Sequence, residues 1–360
     1  MRCILNAEMH LKTGVNDDMR RLDRILRKAL PDYSLSLIHR LLRQGKILVN
    51  GKPARAHDRV PAGAEITVPD TRESASPHSP SPTPHSSLPH SSFPIPHSPF
   101  PTPHSPASTP RSPIPILWQD SNLLILNKPA GLAVHGPESL DALVQHYLAG
   151  RMKPEDASLS FRSGPLHRLD RQTSGAIAFS LSLAGAREFS SRLWEGKIRK
   201  QYLAVVEGCL NKREIWSDSL VRDKTRKISA VAQNAEKGAA ALTTVQPLAV
   251  SIAPYRDRFT LILAEIHTGR THQIRAQAAA HGHPLMGDTK YGSRSAAPVL
   301  ESADGSGAFF LHAWKLTIDE NAPVSAPLPQ AFESLIKTLF GLNSDLADSG
   351  LLHLLLNEST

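Results

Sequence analysis

Cysteine and aromatic residues are scarce in this chain of 360 residues. Its two cysteines, Cys3 and Cys209, are too few for a disulfide framework and wrongly spaced for a zinc site. Aromatic residues make up 5% of the sequence, which argues against a surface built mainly of base-stacking platforms. We therefore expect a reducing compartment and a core made mostly of aliphatic side chains.

Long apolar runs are missing as well. The first 18 residues contain no continuous apolar segment of the signal-peptide type, and no run approaches the roughly 20 residues that span a bilayer. P-loop, GxGxxG, GxSxG and HExxH motifs are also absent, which removes the commonest phosphate-binding, dinucleotide-binding, acyl-transfer and zinc-hydrolase classes. These absences predict a cytoplasmic protein without a membrane partner.

Positive charge, in contrast, is abundant. The formal net charge is +8, and residues 19–70 hold 11 Lys or Arg against 5 Asp or Glu, a difference of +6. Because cationic side chains release counterions when they neutralise phosphates, this balance predicts a polyanionic partner. The chain is also long enough for two domains, since single cores usually stop growing at roughly 250 to 300 residues.

Residues 71–115 mark the most visible boundary, because they hold 14 of the 29 prolines together with many serines and five histidines. Such a segment buries too little apolar surface to offset its ordering entropy, so we predict a disordered linker. Its repeated His-containing units could bind a metal weakly or serve as a peptide ligand. Low-complexity drift is the simpler interpretation, and no metal role is assigned.

Two basic amphipathic helices and a hairpin are predicted ahead of the linker. Apolar residues recur at helical spacing over 22–30 and again over 34–45, and an Asn50-Gly51 pair then favours a tight turn. This pattern within 19–70 resembles the alpha-L type of RNA-binding domain, a small α+β unit. A solvated basic helix face is the structural alternative.

The region 116–340 is predicted to be a separate α+β domain, followed by a C-terminal tail at 341–360. Its predicted strands outnumber its helices and do not alternate with them regularly. The strands are SNLLILNKPAG, GAIAFSL, KQYLAVVEG, FTLILAEI and FFLHAWKLTI, and the helices are SLDALVQHYLAG, LAGAREFSSRLWEG and THQIRAQAAAHG.

The residues suited to chemistry are concentrated in four segments of this region. They are 120–136, 167–175, 200–208 and 267–292. In the second segment Asp170 stands between Arg168 and Arg171, just before a Thr-Ser-Gly turn. Neighbouring cations favour an ionised carboxylate, which suits nucleophilic or general-base work but equally a structural ion pair.

The same segments, DSNLLILNKPAGLAVHG, HRLDRQTSG, KQYLAVVEG and HTGRTHQIRAQ to GDTKYG, resemble the successive motifs of the RluA family of pseudouridine synthases. The resemblance implies the pseudouridine synthase fold, an α+β arrangement with a mixed, mainly antiparallel sheet and a central cleft. It also implies isomerisation of uridine to pseudouridine in RNA with no cofactor. The histidines of this region lack Cys or carboxylate partners at ligand spacing, so no metal site is predicted.

This resemblance assigns three catalytic residues, Asp170, Tyr202 and Arg275, and one substrate-binding residue, Ile274. Asp170 matches the essential aspartate, although attack on the sugar, attack on the base and a glycal route all remain open. Tyr202 matches a tyrosine that lies against the target base and helps proton transfer; a buried strand tyrosine is the alternative. Arg275 matches the basic partner of the aspartate, and Ile274 an apolar residue beneath the base.

Three more residues are predicted to bind the substrate. A uridine within a stem must be flipped out, and Arg168 matches the arginine that enters the stack in its place; a phosphate clamp is the alternative. Arg270 and His272 belong to the TGRTHQIR motif and are predicted to contact the RNA. His167 is interpreted as a scaffold residue outside the catalytic set.

The predicted function is that of a monomeric RNA pseudouridine synthase. Large-subunit ribosomal RNA is the predicted partner, because the N-terminal domain and the KYG ending resemble members that modify it; transfer RNA is the alternative. A catalytically inactive RNA-binding assembly factor and a hydrolase that releases free base are the competing functions. The presence of Asp170, Tyr202 and Arg275 favours the isomerase.

Overall fold

The chain divides into two units in the computed structural model, which describes residues 8–70, 114–149, 151, 158–223, 225–232, 238–251, 258–293 and 309–341. Unit 1 comprises 1–111 and 153–160, and unit 2 comprises 112–152 and 161–360. Residues 71–113 of the predicted linker and the predicted tail beyond residue 341 lie outside the described residues. None of the described helices is long and apolar enough to cross a membrane.

Unit 1 contains the two predicted basic helices, α1 (Leu22–Ala29) and α2 (Leu35–Arg43). Each buries one aliphatic stripe, and the Ser34 hydroxyl caps α2 by accepting a hydrogen bond from the backbone N–H of Leu37 at 3.2 Å. Four arginines lie on the exposed faces: Arg24, Arg27, Arg40 and Arg43. The alternation of apolar and basic positions therefore sets both helices on one core.

Six short strands accompany these helices. They are β1 (Glu8–Lys12), β2 (Arg20–Arg21), β3 (Leu48–Val49), β4 (Lys52–Pro53), β5 (Arg59–Val60) and β6 (Glu65–Pro69). They form a sheet in the order β1-β6-β3-β4 and a separate β2-β5 pair. Between β3 and β4, Asn50 has a φ of 50° and Gly51 a φ of 76°. Two positive φ angles are typical of a type I′ hairpin, so the predicted tight turn is confirmed.

A segment from the middle of the sequence, 153–160, completes unit 1, and its described part is 158–160. It surrounds the fully buried carboxylate of Asp17. Oδ2 accepts from the N–H groups of Gly14 and Leu159 at 3.0 and 2.8 Å. Oδ1 accepts from the Ser158 hydroxyl at 2.8 Å and from both the N–H and the hydroxyl of Ser160. These bonds join sequence segments about 140 residues apart.

Unit 2 is built on one sheet of 11 strands. They are β7 (Ile116–Gln119), β8 (Leu123–Lys128), β9 (Gly164–Pro165), β10 (Ser174–Ser180), β11 (Ile198–Glu207), β12 (Glu214–Asp223), β13 (Ile228–Val231), β14 (Ala239–Val250), β15 (Phe259–Ile266), β16 (Leu311–Ile318) and β17 (Val324–Ser325). The order is β13-β12-β14-β15-β11-β16-β10-β8-β7, with β17 on β16 and β9 on β10. Only β10 and β16 pair in parallel among the described strands. The predicted mixed, mainly antiparallel sheet is confirmed.

Four helices pack with this sheet. They are α3 (Leu140–Ala149), α4 (Leu183–Trp194), α5 (Gln273–Ala280) and α6 (Gln330–Phe340). The predicted strands correspond to β8, β10, β11, β15 and β16, and the predicted helices to α3, α4 and α5. Sequence analysis did not identify β12, β13, β14 or α6. In β14 the register shifts just after Pro247, a residue that cannot donate to a strand ladder and so weakens the strand signal.

The parallel pairing of β10 with β16 explains the glycine that follows Asp170 in the HRLDRQTSG segment. Gly175 has a φ of +109°, and a Cβ there would overlap the backbone of Ala313. Beside it, the Ser174 hydroxyl lies 2.8 Å from Nδ1 of the buried His312. The loop that carries Asp170 is thereby fixed to the centre of the sheet.

Candidate active site

Asp170 lies in the loop between β9 and β10, where it faces two basic side chains from the start of α5. Nη1 of Arg275 donates to Oδ2 at 3.1 Å, and Nε2 of His272 lies 3.9 Å from Oδ1. The Asp170 side chain is 21% exposed, and Oδ1 accepts no hydrogen bond within the described parts of the chain. One oxygen is thus held by Arg275 while the other is open.

Arg275 is fixed from its opposite side by a second carboxylate, that of Asp288. Nε donates to Oδ2 at 2.7 Å and Nη2 to Oδ1 at 2.9 Å, which makes a bidentate pair. Burial alone would lower the pKa of Arg275, but the hydrogen bond and charge of Asp288, followed by those of Asp170, outweigh it and raise the pKa. The ring of Phe309 lies 4.2 Å from the guanidinium carbon. The cation beside Asp170 therefore has a single well-defined orientation.

A cavity of about 720 Å³ opens beside Asp170. All the site residues predicted from the sequence line it: Arg168, Asp170, Tyr202, Arg270, His272, Ile274 and Arg275. A second cavity of about 560 Å³ shares Asp170 and Arg275 and continues to Asp288 and Lys290. Asp170 therefore stands where two cavities meet, in a space of the size that small ligands occupy.

Tyr202 and Lys200 project from the same face of β11 into the larger cavity. Burial and the charge of Asp170 raise the pKa of Tyr202, so its phenol stays protonated at neutral pH. Its hydroxyl makes no hydrogen bond within the described residues, although a buried tyrosine hydroxyl usually has a partner. Burial lowers the pKa of Lys200. This wall offers a neutral phenol and a largely buried amine.

The two predicted RNA-contacting arginines are held differently. Arg168 is exposed and makes no hydrogen bond or ion pair with any described residue. Nε of Arg270 donates to the carbonyl of Ala240 at 2.9 Å, so that side chain is fixed. Ile274 is buried in the main core of unit 2, with one side facing the cavity. Arg168 therefore has more donors available for a ligand than Arg270.

Lys128, at the end of β8, ties the loop of Asp170 to the chain ahead of α3. Its Nζ donates to the carbonyl oxygens of Pro129, Leu132 and Arg171 at 2.8, 2.8 and 2.9 Å. Burial lowers the pKa of Lys128 to about 7, and the charge of Asp170 acts in the opposite direction. A lysine thus fixes the backbone next to the proposed catalytic residue.

His272 adopts a left-handed backbone conformation, with a φ of 54°, immediately before α5. Its Nδ1 lies 2.8 Å from the hydroxyl of Tyr291, which itself accepts the N–H of Ser229 at 2.8 Å. Burial lowers the pKa of His272 to about 4 and outweighs the charge of Asp170, so the ring is neutral at pH 7. Donation by Tyr291 favours the tautomer with hydrogen on Nε2, the nitrogen that faces Asp170.

Asp288 and Tyr291 had no role assigned from the sequence. Both lie in the GDTKYG segment, which was noted as part of the motif series. The motif indicated that these residues matter, but it did not reveal that one orients Arg275 and the other His272. Only the packing of this segment beside α5 shows those partners.

His167 and the other described histidines of unit 2 show no metal-binding arrangement. Nε2 of His167 accepts the N–H of Ala178 at 3.0 Å, and its ring stacks on Phe189. Burial lowers the pKa of His167 to about 3, so it is neutral at physiological pH. Within the described ranges, no three or more His, Cys, Asp or Glu side chains are grouped to hold a metal ion.

Comparison with known proteins gives two family matches. A family model described as RNA pseudouridylate synthase matches residues 122–280, and an S4 domain model matches residues 20–66. Ribosomal large subunit pseudouridine synthase C of Vibrio vulnificus is 27% identical over 335 residues, covering 90% of this chain and 95% of the relative. The protein of the same name from Escherichia coli is 28% identical over 334 residues, with 89% and 92% covered. A solved structure, human RNA Pseudouridylate Synthase Domain Containing 1, shows 26% identity and a TM-score of 0.48, covering 66% of this chain and 91% of that one.

The two matches fall in separate parts of the chain. The first match includes Asp170, Tyr202 and Arg275, and the second includes α1 and α2. The mixed sheet and the cleft that contains Asp170 are those expected from the four motif segments. The chain therefore belongs to the RluA-type RNA pseudouridylate synthases, isomerases that convert uridine in RNA to pseudouridine, and carries an RNA-binding S4 domain at its N-terminal end.

Proposed function

We propose that this isomerase acts on large-subunit ribosomal RNA and uses Asp170 as its catalytic carboxylate. The relatives from Vibrio vulnificus and Escherichia coli are named for the large ribosomal subunit and match 90% and 89% of the chain, which favours ribosomal over transfer RNA. The observation that carries the catalytic assignment is the open Oδ1 of Asp170, which has no hydrogen bond within the described residues and borders the cavity.

The reaction rearranges bonds without net gain or loss of atoms. The bond between N1 of uracil and C1′ of ribose breaks, C5 bonds to C1′, N1 gains a proton and C5 loses one. An ionised carboxylate can attack C1′, add to the base, or take a sugar proton to give a glycal, and each route needs a negative oxygen within reach. Asp170 offers Oδ1 for this step while Arg275 holds Oδ2.

The neighbouring side chains bind and orient the nucleotide in this proposal. Tyr202, protonated at pH 7, packs against the base and donates or relays a proton, while Ile274 lies beneath the base. Arg270 and neutral His272 contact the substrate from the cavity wall. Arg168, exposed and without a partner among the described residues, fills the stack when the uridine is flipped out.

In this proposal, the S4 domain supplies phosphate contacts. The four exposed arginines of α1 and α2 make no ion pair with a described residue, which leaves their charge available for RNA. We propose that the chain comprises an RNA-binding domain at 19–70, a linker at 71–115, a catalytic domain at 116–340 and a tail at 341–360. We further propose that the protein is a cytoplasmic monomer that needs no metal and no cofactor.

The test maps pseudouridine in ribosomal and transfer RNA from a strain that lacks the gene. We expect at least one large-subunit uridine to be unmodified in the deletion strain and restored by the wild type, but not by Asp170→Asn. The variant should still bind RNA in a filter assay, because affinity comes mainly from phosphates and the pocket. If pseudouridine were lost only from transfer RNA, the substrate would be transfer RNA and not ribosomal RNA. Restoration of the modification by Asp170→Asn would overturn the catalytic assignment.

One further measurement separates the isomerase from the competing functions. RNA labelled with tritium at C5 of uridine should release tritium without releasing free uracil. A hydrolase acting on the nucleoside bond would release the base, and an inactive assembly factor would release neither. Addition of a chelator should leave the rate unchanged, since the proposed chemistry uses no metal.

A further inference from the structure

The indole ring of Trp194 is 92% exposed at the last residue of α4. Two other tryptophans of unit 2, Trp216 and Trp314, are buried in its cores. Leaving an indole in water forgoes the stabilisation that burial of apolar surface gives. An exposed tryptophan beside a functional cavity therefore points to a ligand that covers the ring when it binds.

Trp194 lines the same cavity as Asp170 and Tyr202, together with its neighbour Leu193. Its position is held by regular structure. The chain reverses at Gly196, whose φ is +73°, and the N–H of Lys197 closes the turn on the carbonyl of Arg192 at 2.8 Å. The strand that follows is β11, which carries Tyr202. The exposed ring thus has a fixed place at the rim of the active-site cavity.

The charged side chains around Trp194 already have partners. Arg192 pairs with Glu188 and with Asp319, each at 2.7 Å. Lys197 pairs with Glu195 at 2.7 Å. Their charges are largely balanced, so electrostatic attraction does not account for ligand binding at this point of the rim. The flat face of the indole is the remaining contact surface.

We propose that Trp194 is a stacking site for an unpaired RNA base next to the target uridine. The inference rests on RNA binding in this cavity, since flipping a uridine out of a stem disturbs the stacking of its neighbours. Every base has a π-face, so an aromatic platform binds such a neighbour whatever its sequence. Arg270 lines the same cavity, and its charge attracts the phosphates that accompany the base. A ring continuous with this RNA-binding cavity therefore fits a nucleobase better than a protein surface.

The test compares Trp194→Ala and Trp194→Phe with the wild type on an unmodified transcript of large-subunit ribosomal RNA. Loss of one base stack is expected to raise KM for tritium release about tenfold, with kcat within twofold of the wild type. The Phe variant keeps a smaller aromatic face, so its KM should rise only about threefold. Trp118→Ala is the matched control, because Trp118 is 40% exposed on β7 but does not line the cavity.

A fluorescence measurement tests the contact without relying on turnover. The chain has four tryptophans, and two are buried, so RNA stacking on Trp194 should quench a large part of the exposed emission. The quenching amplitude should fall sharply in Trp194→Phe and persist in Trp118→Phe. If the wild type releases no tritium from this transcript, the substrate assignment fails, while quenching by the same RNA still decides the role of Trp194.

Two results would overturn the stacking site. The first is a Trp194→Ala variant that binds and turns over the transcript like the wild type, with unchanged fluorescence quenching in Trp194→Phe. The second is a wild type that sediments as a dimer while Trp194→Ala sediments as a monomer, because the ring would then pack against a second copy of the chain. Because Trp194 is exposed, its replacement should leave the fold intact, and circular dichroism melts check this directly.

Discussion

Two aspartates, one in each unit, are surrounded in opposite ways. Asp17 in unit 1 is fully buried, and both of its oxygens accept hydrogen bonds from neutral donors, namely backbone N–H groups and serine hydroxyls. Asp170 in unit 2 is partly exposed and faces Arg275 and His272. Oδ1 of Asp170 accepts no hydrogen bond within the described parts of the chain, whereas each oxygen of Asp17 accepts at least two.

The difference shows what a carboxylate needs for structure and what it needs for chemistry. Burial raises the pKa of Asp17, but hydrogen bonds led by that of the Ser160 hydroxyl outweigh burial and lower it. Its lone pairs are used to join distant chain segments, so no ligand can reach them. Asp170 instead has its negative charge balanced through Arg275 and keeps one oxygen free. A carboxylate whose oxygens are all hydrogen-bonded stabilises the fold, whereas one with an open oxygen is available for reaction.

The largest expected effect is that of Asp170→Asn. Asn preserves shape but removes the negative oxygen, so tritium release should fall by a factor on the order of 10⁴ or more. The free energy of unfolding should change by less than about 1 kcal/mol, because the amide oxygen of Asn can accept the hydrogen bond from Arg275, and Arg275 keeps its bidentate pair with Asp288. Urea unfolding followed by tryptophan fluorescence measures this second quantity. Near-normal turnover by a folded Asp170→Asn variant would show that the open oxygen of Asp170 is not needed for the reaction.

Asp288→Asn is expected to lower kcat by a factor on the order of 10², because Arg275 loses its charged bidentate partner and no longer holds Asp170 in place. Affinity for RNA should stay within twofold, since Asp288 is buried behind Arg275. Single-turnover rates and filter binding measure the two quantities separately. Asp319→Asn is the control, because it breaks an aspartate–arginine pair that does not line the cavities. Equal losses in both variants would indicate a general effect on folding.

Asp17→Asn should have the opposite profile from Asp170→Asn. An amide NH₂ cannot accept the hydrogen bonds that the carboxylate accepts, so unit 1 should lose about 3 kcal/mol of stability. Hydrogen exchange in peptides covering α1 and α2 measures the loss. The adjacent Asp18→Asn, at an exposed position, should cost less than about 1 kcal/mol. Retained exchange protection in Asp17→Asn would show that the buried hydrogen bonds contribute little.

The smallest expected effect is the pH dependence of stability, which should differ between the two units. Burial lowers the pKa values of His167, His272 and His312 in unit 2 to about 3, 4 and 4. The unfolded chain binds protons below about pH 6.5, whereas the folded chain does not, so stability is lost as pH falls from about 6.5 towards 4. Between pH 7.5 and pH 5.5, each of these histidines should lower the free energy of unfolding by about 1.4 kcal/mol.

The contribution of Asp17 has a different window. Its pKa is lowered in the folded state, so its stabilisation is present above the ordinary value of 3.8 and is lost only as pH falls through the lowered pKa. All four tryptophans lie in unit 2, so their fluorescence during urea unfolding reports that unit alone. His312→Asn should flatten the pH dependence between 7.5 and 5.5. An unchanged slope in that variant would mean that His312 is not buried in its neutral form.

Local patterns predicted the elements whose signals are local. The basic faces of α1 and α2 follow from helical periodicity, and the turn between β3 and β4 from the two residues that accept positive φ. Continuous apolar runs gave the central strands β11 and β15. The strand β14 was missed because its run is rich in alanine and threonine and is interrupted by Pro247, so pairing with its neighbours rather than propensity makes it a strand.

The sequence by itself determined the family, the order of the motifs and the candidates Asp170, Tyr202 and Arg275, because these signals lie in short contiguous segments. Only the tertiary structure decided which charges meet. Asp170 and Arg275 are 105 residues apart in the chain, and Asp17 and Ser160 are 143 apart. Side-chain partners at such separations are selected by packing, because each polar atom must either be hydrogen-bonded inside the protein or remain in contact with solvent. No local periodicity encodes that choice. For this reason two aspartates that both stand near arginines in the sequence end in opposite surroundings.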